Sequence, residues 1–475
     1  MKCIFCTLFL QEKYVKMFFV FLESILRCGT IDDDTDILVY TSSQFMKQIK
    51  DSHLYNEKIK FIINDNHMTL KQACNSRLDL FNHKFVDNYK KILYLDTDII
   101  VTGDLNKIFD LCKDDILYCR AEGAWDIWHG VTLFQKEERG ADGNFDGKSP
   151  FSSGVLLFNN CDKIRNLFHS INKGIKNDTQ NLQCEDQSYI IYNAFITNLY
   201  NSDIMKPFVK HYPMSGYNNQ DIDSIMNKNR IINHFAGGIG DPANRKTNVM
   251  KKFLSEINEK YINNCLKKTK KYITDYLLPI IDKHEEHEGN IFMLHREKKL
   301  FNNDFKRPKN ISLIVSNINI KNVIEIGFNS GFSALLMLMS NPNLHITCFD
   351  LGNSLFGHQY ALPCYETIKK TFGDRIDVVW GDSCKTLCDY EIDSCDLVHI
   401  DGSNQANIVK NDIINSYKLS KKGTIIIMND YNFRHLTPLW DNMCLELDLK
   451  NLDIEINSTH LHDIKYVKNK NIDLI

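Results

Sequence analysis

The chain has 475 residues, of which 43% are hydrophobic, 25% charged and 11% aromatic. That balance belongs to a folded protein of two or three domains, and it excludes wholesale disorder, a fibre and a small disulfide scaffold. Lys and Arg number 57 against 60 Asp and Glu, a net charge of −3, so charge gives no reason to expect a nucleic-acid partner.

The opening MKCIFCTLFL runs directly into polar Gln11-Glu12-Lys13 and lacks a small-residue cleavage site. It reads as a buried first strand, not as a leader. The longest apolar stretch, from Met17, is interrupted by Glu23, short of the roughly 18 residues a membrane span needs. No transmembrane segment is therefore expected. The 15 cysteines have no matched spacing, which points to reduced thiols and a cytoplasmic setting.

Strand-like apolar runs follow at 3–10, 36–41, 58–63, 91–101, 154–160 and 230–235, with a helical pattern over 14–27. Alternation of this kind predicts a mostly parallel α/β sheet. Residues 250–310 turn lysine-rich and helical. Beyond Arg307-Pro308 the rhythm restarts, with strands at 322–327, 344–350, 376–382, 396–402 and 423–430 and helices at 331–340, 360–372 and 404–419. The tail, 452–470, reads as two strands joined by a turn. The expected fold class is α/β with two Rossmann-like domains, 1–262 and 307–475, joined by helices over 263–306.

Within the run 91–101 the apolar pattern is broken only by Asp96 and Asp98 beyond the leading lysine and the Tyr and Thr side chains. In a continuous strand the two carboxylates share a face. Two like charges in an apolar strand repel and are costly to desolvate, and a divalent cation removes that cost. The plainer alternative is a strand that stops at Leu95, with the aspartates in a turn.

The segment Tyr94-Leu95-Asp96-Thr97-Asp98 resembles the DxD motif of the retaining, glycogenin-type glycosyltransferases of family 8. The likeness spans about residues 1–260. Arg77 stands where that family has a basic residue facing the nucleotide sugar. Phe151-Ser152-Ser153-Gly154-Val155 resembles its FNSG segment, Glu185-Asp186-Gln187 its acidic pair beside the donor sugar, and His234-Phe235-Ala236-Gly237 its HFxG segment. The resemblance implies a GT-A nucleotide-sugar fold. It assigns Asp96, Asp98 and His234 to Mn²⁺ or Mg²⁺, and Arg77, Asp96, Thr97, Asp98, Ser153 and Gly237 to the donor. Asp186 and Gln187 become catalytic. The family continues its HFxG with a phosphate-holding lysine, but here Gly240 stands at that position, and Arg245 or Lys246 is the candidate replacement.

In the second half, Glu325-Ile326-Gly327-Phe328-Asn329-Ser330-Gly331 ends a strand and opens a helix. Glycines there let backbone approach a ligand closely, and a helix N-terminus attracts an anion. The spacing differs from GxGxxG and disfavours a dinucleotide. It resembles motif I of class I S-adenosylmethionine-dependent methyltransferases. That likeness implies a cofactor site at Glu325, Gly327 and Gly331, with Asp350 on the ribose and Asp382 near the adenine. Asp401 and Asp430, ending two further strands, resemble the Mg²⁺ ligands of O-methyltransferases. Those enzymes often carry a Lys or His base three residues beyond the first Asp; this chain has Asn404, with His399 or His435 as substitutes.

Cys3 and Cys6 read as strand-core residues, and His284-Glu285-Glu286-His287 and Lys267, Lys268, Lys270 and Lys271 as solvated helix faces. Trp125 and Trp128 are candidates for stacking on an acceptor sugar. The expected protein is a bifunctional enzyme. It transfers a sugar, with retention, from a nucleotide-sugar donor (UDP being the expected nucleotide) to a glycan or glycoconjugate, and it methylates a hydroxyl, expected on that sugar. The alternative keeps the transferase and makes 307–475 a binding or scaffold module; a third reading keeps only the methyltransferase.

Overall fold

A computed structural model of the chain describes residues 1–123, 129–130, 133–134, 148–178, 185–214, 230–237, 245–284, 291–292, 300, 306–352, 359–390, 395–452 and 462–467. Trp125, Trp128 and Gly240 lie outside these, as do residues 285–287. The chain forms two compact units, residues 1–50 with 54–257 and residues 258–475 with 51–53.

The strands of the first unit are β1 (Lys2–Leu8), β2 (Thr35–Thr41), β3 (Ile59–Ile63), β4 (Lys91–Leu95), β5 (Ile99–Val101), β6 (Leu117–Tyr118), β7 (Val155–Asn159), β8 (Tyr200–Asn201), β9 (Val209–His211) and β10 (Ile232–His234). Seven of them form one sheet in the order β3-β2-β1-β4-β7-β6-β8, parallel from β3 to β4 and antiparallel at β4–β7 and β7–β6. β1 and β2 are near-continuously buried, as strands covered on both faces must be. Cys3 and Cys6 are fully buried in β1. The helix Glu12–Cys28 supplies Val15, Phe18, Leu22 and Ile25 to the interior.

The expected single strand over 91–101 is not one strand. β4 stops at Leu95 and β5 begins at Ile99 in a separate three-stranded sheet, β5-β10-β9. The backbone passes from one ladder to the other: Asp96 N–H donates to Gly154 C=O (2.9 Å), and Phe235 N–H donates to Asp98 C=O (2.9 Å). The two charges would be buried in an uninterrupted ladder; at the crossing between sheets both carboxylates keep partial exposure.

The second unit places β11 (Asn322–Ile326), β12 (His345–Asp350), β13 (Ile376–Trp380), β14 (Cys395–Ile400), β15 (Ser420–Asn429), β16 (Leu449–Asn451) and β17 (His462–Val467) in the order β13-β12-β11-β14-β15-β17-β16. The first five run parallel, and β17 is antiparallel to both β15 and β16. The predicted tail hairpin is thus a pair, but its first strand lies at 449–451, ahead of the expected start. Helices Phe332–Ser340, Ala361–Phe372 and Ala406–Leu419 match the expected ones closely. Pro308 sits in the first turn of Lys306–Val315, where its missing N–H is no loss. Lys267, Lys268 and Lys271 are exposed on the helix Arg245–Tyr272, while Lys270 lies over the Phe292 ring. Among the described residues no helix is long and apolar enough to cross a membrane.

Candidate active site

The sheet crossing gathers the side chains of the first constellation. Single ligand atoms of Asp96, Asp98 and His234 lie within 4.8 Å of one another. His234 Nε2 is 3.2 Å from Asp98 Oδ1 and 4.0 Å from Asp96 Oδ2. Sequence separation of 136 residues is bridged by register: His234 on β10 lies opposite Ile99 on β5. Gly154, at the head of β7, makes the approach possible, because a Cβ there would sit 2.4 Å from His234 Cε1 and 2.7 Å from Asp96 Oδ2.

Arg77 organises the other side. Its Nη2 is 3.3 Å from Asp96 Oδ1, its Nε 3.1 Å from Asp186 Oδ2, and its Nη1 donates to Ser153 C=O at 2.9 Å. The guanidinium lies 4.7 Å from the centre of the Tyr94 ring, and the Tyr94 hydroxyl donates to Asp96. Gln187 Oε1 accepts from Ser153 N–H (3.0 Å) and from its hydroxyl (3.2 Å). Asp186 and Gln187 lie in the first turn of the helix Glu185–Thr197, which brings them beside β7. Thr97 lies half-buried between the aspartates, and Gly237 is exposed with φ +82°.

The electrostatics are those of a crowded anionic cluster. Burial opposes the charge of Asp98, but Lys246 and His234 outweigh it and hold its carboxyl well below the usual range. Lys246 Nζ donates to Asp98 Oδ2 at 2.6 Å. Burial works against protonation of His234, yet Asp98 and Asp96 raise it above its ordinary value. Burial pushes the Asp186 carboxyl up, with Arg77 pulling the other way. The donor set, two carboxylates and an imidazole, suits a hard to borderline divalent cation.

Three residues adjoining this cluster escaped the sequence reading. Glu122 joins His129 (2.9 Å) and His211, and the His211 ring meets the His234 ring edge to face at 4.8 Å. Burial brings His211 down to about 4 despite Glu122. No motif flags these residues; only the β9–β10 pairing, His211 opposite His234, reveals them.

In the second unit the residues of the second constellation lie around the carboxyl ends of β11, β12, β13, β14 and β15, where open α/β sheets bind ligands. Glu325 is fully buried, and its carboxylate meets His399 Nδ1 (2.9 Å) and the Cys348 thiol (3.4 Å) on the two flanking strands. Gly327 has φ +95°, and a Cβ would lie 2.2 Å from Asp401 C=O. Gly331, φ +74°, caps Phe332–Ser340. Asp350 accepts from Phe328 N–H and Asn329 N–H (both 2.8 Å) and from Gly352 N–H (2.7 Å), so it shapes the glycine turn. Asp382 caps the short helix Ser383–Thr386 through Cys384 N–H (3.0 Å).

Asp401 accepts from Asn429 and lies 4.0 Å from His399 Nε2. Burial raises the Asp401 carboxyl, and Arg307 pulls it back; Asp430 is raised by burial and by Asp401. Asp430 also takes a left-handed φ of +52° and is hydrogen-bonded by Asn404. His435 Nε2 lies 2.7 Å from Asn404 C=O. Among the described residues, Asp96, Asp98 and His234 are the group whose three ligand atoms all lie within 4.8 Å of one another.

Residues 8–239 match the profile of glycosyl transferase family 8, and residues 324–431 that of a methyltransferase domain. No curated protein matches the chain. Among solved structures it is similar to an active-site mutant of LgtC, 18% identical over 54% of this chain and 96% of that one, TM-score 0.36. It is similar also to the glycosyltransferase GlyE of Streptococcus pneumoniae TIGR4, 14% identical over 87% and 88%, TM-score 0.34. A third is the O-methyltransferase from Bacillus cereus in complex with SAH, 15% identical over 44% and 90%, TM-score 0.30. Mixed α/β sheets make up both the family 8 region and the methyltransferase region. The chain is an enzyme that carries a glycosyl transferase family 8 domain followed by a methyltransferase domain.

Proposed function

We propose that residues 1–262 transfer a sugar, with retention, from a nucleotide-sugar donor, UDP-linked by preference, to a glycan or glycoconjugate, and that residues 307–475 use S-adenosylmethionine to methylate a hydroxyl, on that sugar by preference. The convergence of Asp96 and Asp98, from the β4–β5 crossing, and His234, from β10, onto one point carries the reading. These residues would hold Mn²⁺, or Mg²⁺ in its place. A cation so held supplies Lewis-acid stabilisation of charge on the leaving diphosphate.

The chain's own groups do the rest. Arg77 fixes the Asp96 and Asp186 carboxylates, and Ser153 fixes Gln187, so the acidic pair and the metal ligands are set in one frame. Asp186 and Gln187 would orient the sugar and stabilise positive charge at its reacting carbon. The acceptor hydroxyl then adds to the face from which the diphosphate departs. Thr97, Ser153 and Gly237 would contact the donor.

In the second domain the turn 327–331, shaped by Asp350, would receive the cofactor's amino-acid end, with Asp382 at the adenine side. Glu325 would act through His399, which it orients. Asp401 and Asp430 would be the ligands of a second divalent cation, Mg²⁺, that orients the acceptor hydroxyl; Arg307 acts on both carboxylates. The described cysteines are free thiols.

The test is release of nucleotide diphosphate from a panel of nucleotide sugars, with and without Mn²⁺. Metal-dependent release from one donor, lost in Asp98→Ala, supports the proposal. Undiminished turnover in that variant removes the metal role.

A further inference from the structure

His211 stands opposite His234 in the β9–β10 ladder, and the two rings meet edge to face with centroids 4.8 Å apart. Both side chains are buried, 8% and 4% exposed. Glu122 holds His211 in turn: one carboxylate oxygen touches His211 Nδ1, and the other lies 2.9 Å from His129 Nε2. The carboxylate is offered from a fixed backbone, since Ala121 bridges Phe151 and Glu122 N–H donates to Pro150 C=O at 2.7 Å. A row of contacts therefore runs from Glu122 through His211 to the imidazole of the proposed metal centre.

The outer torsion of a histidine is broad, so rotamer preference alone does not decide where its nitrogen points. The groups packed around a ligating imidazole make that choice. In this chain His234 Nε2 stands 3.2 Å from Asp98 Oδ1 and 4.0 Å from Asp96 Oδ2, the orientation in which the three groups can share an ion. The His211 ring restricts rotation of its neighbour, and its charge-assisted contact with Glu122 restricts His211 itself. We propose that His211 and Glu122 are positioning residues of the metal centre. Glu122 fixes the His211 ring, and that ring keeps His234 Nε2 turned toward Asp96 and Asp98. The inference rests on the metal reading above and adds which residues outside the ligand set control affinity for the ion.

The test is Mn²⁺ binding with UDP present, followed by the electron paramagnetic resonance signal of the free ion. It uses the full chain carrying Asp401→Ala, which silences the second domain. Adding His211→Ala should weaken Mn²⁺ binding at least tenfold, as loss of a ligand's outer support does; His211→Gln replaces it should the near-ultraviolet circular dichroism spectrum change. Glu122→Ala should weaken binding in the same direction. In the His211→Ala background Glu122→Ala should add nothing, because its effect passes through the missing ring. If Glu122→Ala costs as much there as alone, the carboxylate acts by its field and the relay is overturned. UDP affinity measured without metal should stay at the parent value; a loss equal to that for Mn²⁺ would show a collapsed site and overturn the positioning role. His234→Ala separates the two readings. If it binds Mn²⁺ as the parent does, the metal reading itself is wrong; if it loses the ion while the His211 and Glu122 variants keep it, only the positioning role falls.

Discussion

Gly154→Ala is the smallest change that should disable the proposed metal centre. The added methyl would lie 2.4 Å from His234 Cε1, 2.9 Å from His234 Nε2 and 2.7 Å from Asp96 Oδ2. Carbon contacts are comfortable from roughly 3.5 Å, so the imidazole must retreat by about 1 Å. It has little room, because His211 packs against its ring and β10 fixes its backbone to β5. A ligand displaced by that much should weaken Mn²⁺ binding by about 10- to 100-fold, the range seen when supports of metal ligands are lost. Turnover should fall by about 100-fold, as misplacement of about 1 Å does elsewhere. The assay is Mn²⁺-dependent nucleotide diphosphate release beside an Mn²⁺ titration. Gly123→Ala, where a Cβ meets nothing within 4 Å, serves as the control and should leave both unchanged. Wild-type Mn²⁺ affinity in Gly154→Ala would refute the argument that these three groups act on one ion.

Glu325→Leu leaves His399 Nδ1 without its acceptor inside the sheet and should lower stability in urea by about 2–3 kcal/mol; an unchanged midpoint would show that the pair contributes nothing. Asp350→Ala removes the acceptor of three backbone N–H groups around the glycine turn, and S-adenosylmethionine binding, measured calorimetrically, should weaken at least tenfold. Asp412 is fully buried, and burial brings its carboxyl from an ordinary 3.8 up to about 6. A raised carboxyl favours the protonated folded form, so its contribution is complete below about pH 4 and is lost as the pH rises past about 6. Asp412→Asn should therefore stabilise the chain by about 3 kcal/mol at pH 7.5 and by almost nothing at pH 4, as read from urea midpoints at the two values.

Much of this was legible in the residues. Apolar runs located the main strands because both large sheets are covered on both faces, and the glycines and carboxylates at strand ends marked where a ligand could sit. Period-two reasoning failed at 91–101, where an unbroken apolar run passes from one sheet to another; the crossing depends on which strands pair with each half. Pairing also decided what Glu325 does. Its neighbour across the ladder is His399, 74 residues away, a relation no spacing rule contains. Likewise Asp350 and Asp382 have the residue type for cofactor contact, yet their carboxylates hold backbone N–H groups that only the folded turns present. Glu122 and His211 were invisible because their role comes from a third residue, His234, brought beside them by β9 and β10.

The most direct test is crystallographic: diffraction collected above the manganese absorption edge from crystals grown with Mn²⁺ and UDP. One anomalous peak in contact with Asp96, Asp98 and His234 is the expected result. A peak elsewhere, or UDP bound with no ion beside Asp98, would contradict the account.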